Sequence, residues 1–91
     1  MDAVGFAVQE VQATPNPNAF KFILDRQIVA QPTSFLEAAA GQDHPIACRL
    51  FEVPGVNSVF MLGDFVTINK SSDARWADIT PKVKKVLKQV D

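Results

Sequence analysis

The run Thr14-Pro15-Asn16-Pro17-Asn18, leading straight into Ala19-Phe20-Lys21-Phe22, restricts what this chain can fold into more than any other stretch. Each proline fixes its own φ and biases the residue before it toward extended geometry, so no helix passes through this segment. Asn16 and Asn18 tolerate turn conformations, which makes the segment a stiff polar turn. Phe20, Phe22 and Leu24 then fall on one face of a strand, with Lys21 and Ile23 on the other. Ahead of the turn, Phe6, Val8, Val11 and Ala13 suggest an opening strand. Its apolar parity shifts near Gln9-Glu10, as it would at a β-bulge or at a strand end.

The remainder reads as short elements separated by breakers. Asp25-Arg26-Gln27 is a polar break before Ile28-Val29, a short extension of the sheet. Between Pro32 and Asp43 two readings stand side by side. Ser34-x-x-Glu37 has the form of a capping box opening a short helix through three alanines to a stop at Gly41, and an extended segment over Ser34–Glu37 is the other. His44-Pro45 opens a helix with Ile46, Ala47, Leu50 and Phe51 on one face, ended by Pro54-Gly55. Val56–Leu62 and Phe65–Lys70 form a hairpin with Gly63-Asp64 at or near its tip. A last helix runs from Trp76 to Val90. Its stripe of Trp76, Ile79, Val83, Val86, Leu87 and Val90 lies opposite Lys82, Lys84, Lys85 and Lys88. The expected fold is α+β: a two-layer sandwich in which an antiparallel sheet of about four strands carries two helices packed on one face. The turns between paired strands are too short for parallel crossovers.

With 91 residues, the chain is expected to be one domain spanning 1–91. Hydrophobic residues at 47% and seven phenylalanines supply one core. A net charge of −1 gives no bulk attraction to nucleic acid or to anionic lipid. The single cysteine excludes an intrachain disulfide. No stretch is long and apolar enough to span a membrane, and the first residues lack the basic start and apolar run of a signal peptide. A cytoplasmic protein is expected.

Few residues carry recognisable chemistry. Cys48 and His44 are four apart, so both could share a helical face, and both residue types bind metals. One cysteine supplies one cluster ligand per chain, so only a homodimer bridged by Cys48, with His44 or other ligands added, could hold a cluster. Against this stands a buried Cys48 and a His44 that caps the helix start. No strained nucleophile turn, phosphate loop or carboxylate pair accompanies them. Asp64 and Asp78 stand alone, and an enzyme is not expected. The C-terminal lysines lack interleaved aromatic platforms, so nucleic-acid binding is not expected either. No cofactor is expected. The hairpin is more informative. Val59, Met61, Val66 and Ile68 share one side, whereas Phe60, Leu62, Phe65 and Thr67 share the other. If helices cover only the first side, the second leaves an apolar patch of the kind that marks a binding surface, unless the N-terminal strand or a loop folds over it.

Several segments, taken together, resemble a known family. The Thr14–Phe22 stretch is followed by Pro45-Ile46-Ala47, Leu50-Phe51-Glu52-Val53-Pro54-Gly55-Val56, Ser58-Val59-Phe60, Asp64-Phe65-Val66-Thr67-Ile68 and Trp76. In this order and spacing they resemble the N-terminal domain of NifU-like (Nfu) iron–sulfur cluster scaffold proteins, from about Thr14 to Leu87. The resemblance favours the extended reading near Ser34–Glu37, and family members often carry Ser where this chain has His44, which suits a cap. It implies scaffolds or carriers that deliver clusters to apo-proteins, with the cluster ligands on a Cys-x-x-Cys pair in a second domain. No residue of this chain matches that pair. For the N-terminal domain the resemblance implies contact with a protein partner, such as an iron–sulfur assembly factor or a client apo-protein. The expected contact residues are Phe60, Leu62 and Phe65, together with Thr14, Asn16 and Asn18 of the loop. The hairpin tip departs from the family pattern, in which Gly often stands one residue earlier.

Overall fold

In the computed structural model, which describes residues 5–89, the hairpin strands occupy the bounds read from the sequence. They are labelled β4 (Val56–Leu62) and β5 (Phe65–Lys70), with Leu62 paired to Phe65 across Gly63-Asp64. Gly63 has φ +57, the sign that a two-residue II′ turn requires at its first central position. The other strands are β1 (Val8–Ala13), β2 (Ala19–Leu24) and β3 (Thr33–Phe35). They form a five-stranded sheet in the order β1-β2-β5-β4-β3. Every neighbouring pair is antiparallel. The expected parity shift in β1 is a bulge: the register slips between Val8 and Glu10. The extra residue keeps both Val8, opposite Leu24, and Val11, opposite Phe22, against the core.

The sheet is thus one strand larger than expected, and the additional strand is β3. Ser34 lies inside it, paired to Phe60, so the capping-box reading of Ser34 and Glu37 does not hold and the extended reading does. A short helix, α1 (Ala38–Gly41), follows Glu37, whose side chain makes no capping bond. Ile28 and Val29 are not sheet residues; both donate their N–H to the Gly63 carbonyl as the chain crosses the hairpin tip toward β3.

Helix α2 (Ala47–Phe51) is shorter than the stretch from His44 to Pro54. A preceding turn, closed by Cys48 N–H to His44 C=O, accounts for its start. Gly55 ends the segment with φ +96. A side chain there would be strained, and its Cβ would come within 2.8 Å of Ala74 Cβ. Helix α3 (Trp76–Gln89) contains Pro81, which offers no N–H to the Ala77 carbonyl; both residues are exposed. Ile79, Val83 and Leu87 are buried and the four lysines are exposed, as the stripe predicts. Val90, the last residue of that expected stripe, lies outside the described residues.

Helices α2 and α3 form the second layer and supply its buried face, with α1 beside α2 and β3. Phe22 and Leu24 of β2, Val59 and Met61 of β4, and Val66 and Ile68 of β5 meet Leu50 of α2 and Ile79, Val83 and Leu87 of α3 in a single core. The N-terminal segment closes one end, where Phe6 is buried and its N–H bonds the Leu87 carbonyl.

Candidate interaction surface

Alternation along the paired strands fixes what the other sheet face displays. Phe60 lies opposite Thr67, and Leu62 opposite Phe65. Because β5 also pairs with β2, Thr67 faces Lys21 and Phe65 faces Ile23. The Phe60 and Phe65 rings meet at 6.3 Å in a tilted arrangement, and Lys21 Nζ lies 4.1 Å from the Phe65 centroid. Leu62 is 37% exposed and both rings are half-buried. Strand β1 extends the sheet beside β2 instead of folding over this face, and no helix of the described residues packs on it. Ile23 and Lys21 are members of this surface that sequence reasoning missed. Their side of β2 was readable, but the neighbour of β2 was not.

Thr14, Asn16 and Asn18 sit elsewhere. Ala19, which follows their loop, pairs with Asn69, whereas the apolar rings cluster around Ile23 and Phe65. Four residues of strand separate the two places, roughly 13 Å at about 3.3 Å per residue. The loop's side-chain oxygens hold the turn together. Thr14 Oγ1 lies 2.9 Å from the carbonyls of Asn16 and Ala19, Asn16 Oδ1 accepts the Asn18 N–H at 2.9 Å, and Asn18 Oδ1 accepts Lys70 Nζ at 3.0 Å. Trp76 Nε1–H donates to the Pro17 carbonyl at 3.0 Å, tying the loop to α3.

His44 and Cys48 make different contacts. His44 Nδ1 accepts the N–H groups of Ile46 at 3.2 Å and Ala47 at 3.1 Å, which makes the imidazole the cap of the α2 turn. Its ring also meets the Phe35 ring edge-on. The Cys48 thiol, half-buried, donates to the Pro45 carbonyl at 3.6 Å. Among the described residues no group of three or more His, Cys, Asp or Glu converges as a metal site.

Burial holds the His44 imidazole below its ordinary value of 6.5, and only the neutral ring can accept at Nδ1. With the folded pKa lowered, the unfolded chain binds the proton more readily. The capping contribution is therefore fully present above the ordinary value and lost as pH falls through the lowered one. His44→Ala should cost about 0.5–2 kcal/mol near neutral pH. His44→Ser should keep the cap and flatten the melting temperature between about pH 7 and about pH 5 relative to the unaltered protein. Thermal melts across that range test this; equal slopes for the Ser variant and the parent would remove His44 as the titrating cap.

The fold and these contacts define an α+β sandwich domain in which no helix of the described residues packs on the Phe60/Phe65 face of the sheet. Residues 8–90 match the family described as Scaffold protein Nfu/NifU N terminal. The chain belongs to this family. It is 35% identical to a NifU-like protein of Schizosaccharomyces pombe over 79 residues, covering 84% of this chain and 30% of that protein. It is 40% identical over 76 residues to the mitochondrial NFU1 iron–sulfur cluster scaffold homolog of Drosophila willistoni, covering 81% and 26% respectively. The chain thus spans less than a third of the length of these relatives. Among solved structures, a NifU-like protein from Saccharomyces cerevisiae superposes with a TM-score of 0.77 at 26% identity, over 97% of this chain and 81% of that one. A Staphylococcus aureus protein known from a crystal structure gives 0.74 at 28% identity, over 88% and 96%. No helix among the described residues is long and apolar enough to cross a membrane.

Proposed function

We propose that this chain is a non-enzymatic interaction domain serving iron–sulfur cluster assembly or delivery, and that it contacts an assembly factor or a client apo-protein. The observation that carries this reading is the second sheet face, on which Phe60, Leu62 and Phe65, joined by Ile23, remain partly in water with no helix of the described residues packed on them. Uncovered side chains of this size in one cluster mark binding surfaces. The relatives' named role as cluster scaffolds supports the kind of partner. The Thr14–Asn18 loop is left out of the surface because its side-chain oxygens hold the turn. Cluster ligation is not part of this reading, since His44 Nδ1 and the Cys48 thiol are each engaged with backbone. The cytoplasmic setting expected from the sequence stays part of the proposal; the fly relatives are named mitochondrial.

Affinity capture from cells tests it, with bound proteins identified by mass spectrometry. The unaltered domain should recover cluster-assembly proteins or iron–sulfur apo-proteins. Phe60→Ser combined with Phe65→Ser should lose them while keeping the far-UV circular dichroism of the parent. Leu62→Glu, at a more exposed position, should weaken capture in the same direction and guards against unfolding of the double variant. An identical protein set captured by the parent and by Leu62→Glu would overturn the assignment of this face.

A further inference from the structure

The helical layer carries a second surface of different chemistry. Helix α2 and the turn after it present Arg49, Glu52 and Val53 along one wall of a groove of about 380 Å³, and α3 presents Lys82, Lys85 and Val86 along the other. Spacings of three and four residues put each set on one side of its helix. Val53 is buried and Val86 half-buried, so the floor is apolar; Arg49, Lys82 and Lys85 are exposed at the rims. None of these three cations has an ion-pair partner among the described residues. Lys84 and Lys88 add to the charge on α3. A chain with a net charge of −1 therefore gathers five of its nine basic residues on these two helices. The concentration is local and has a sign.

We infer that the α2–α3 groove is a docking site for an acidic amphipathic segment of a partner protein. Carboxylates of such a segment reach Arg49 on one side and Lys82 and Lys85 on the other, while one or two apolar side chains rest on Val53 and Val86. The charge complementarity selects an acidic occupant, and the apolar floor selects one with apolar anchors instead of a plain polyanion. Nucleic acid fits less well, because no aromatic ring lines the groove to stack a base. Glu52 is the one acid in the lining and opposes the occupant. This surface lies on the opposite layer from the sheet face argued above, so either assignment can fail without the other.

Nuclear magnetic resonance titration of the isotope-labelled chain tests the inference. The probe is a short amphipathic helical peptide of leucine and glutamate; polyglutamate, a single-stranded RNA and vesicles of mixed neutral and anionic phospholipid serve as comparisons. The Leu/Glu peptide should give saturable shifts at Arg49, Val53, Lys85 and Val86 that weaken as salt rises. Lys82→Glu with Lys85→Glu should weaken its binding about tenfold or more, since both substitutions reverse a rim charge. Glu52→Gln should tighten it about two- to threefold by removing the opposing charge, a gain that no loss of structure produces. Unchanged affinity in the charge-reversed variant overturns the proposal. So does binding of polyglutamate, RNA or anionic vesicles as tight as that of the peptide, or an absence of shifts at Val53 and Val86.

Discussion

Phe22→Ala is expected to lower stability by about 3–5 kcal/mol, whereas Phe65→Ala, at a neighbouring strand position, should cost under about 2 kcal/mol. Both residues are phenylalanines in the middle of the sheet, and they differ in the face they occupy. Phe22 is fully excluded from solvent, with Val11 and Val66 as its cross-strand neighbours and the Trp76 ring 6.4 Å away. Truncating it removes the transfer free energy of a ring and leaves a cavity that paired strands on both sides prevent from collapsing. Phe65 is instead half-buried, and it loses a tilted contact with Phe60 and a cation–π contact with Lys21, together worth about 1–2 kcal/mol. For a domain of this size each kcal/mol moves the melting temperature by about 4–8 °C, so the Phe22 variant should melt on the order of 15 °C or more below the parent. Circular dichroism melts of both variants measure the contrast. Equal losses would mean that the Phe60–Phe65 side is a second core, and the partner-binding reading of that face would go with it.

That contrast also separates what the sequence made readable from what it hid. The hairpin at Gly63-Asp64, the parity shift near Gln9-Glu10 and the stripe of α3 were all readable because turn chemistry and periodicity are local signals. The division of the hairpin into a Val59/Met61 side and a Phe60/Leu62 side followed from the same alternation. Strand β3 had no local signal, because its three residues carry no periodicity of their own, and only the family resemblance favoured an extended segment there. It exists because Thr33, Ser34 and Phe35 pair with Met61, Phe60 and Val59, more than twenty residues away. The same long-range pairing overrode the local capping signal of Ser34 and Glu37. Sheet order was hidden for the same reason. Once β2 lies beside β5, Ile23 and Lys21 join the apolar rings, and no short-range pattern announces that neighbour. His44 illustrates the converse. Two readings were open, ligand or cap, and two backbone N–H groups pointing at Nδ1 show the cap, a contact set by local chain geometry.

Trp76→Ala should cost about 2–3 kcal/mol and release the Thr14–Asn18 turn, because this one side chain couples the turn to the last helix. Its indole stacks on Phe20 with centroids 4.0 Å apart and planes 7° from parallel, and its Nε1–H holds the Pro17 carbonyl. The turn is already organised by Thr14 and Asn16, so losing the tryptophan should not unfold it. Its amides should instead exchange faster, most of all Ala19, which bonds the Asn16 carbonyl, and Lys70, which bonds that of Asn18. Trp76→Phe keeps a ring over Phe20 but no donor for Pro17, and should cost only about 0.5–1.5 kcal/mol. Hydrogen exchange at Ala19 and Lys70, measured beside thermal melts, distinguishes the two variants. Native-like protection of both amides in Trp76→Ala would show that the turn stands without the helix. Accelerated exchange in Trp76→Ala, with near-native protection in Trp76→Phe, would instead assign the coupling to the stacked ring. The proline–asparagine run would then be a structural clamp between the first hairpin and α3, and partner recognition would fall to the sheet face and the helical groove.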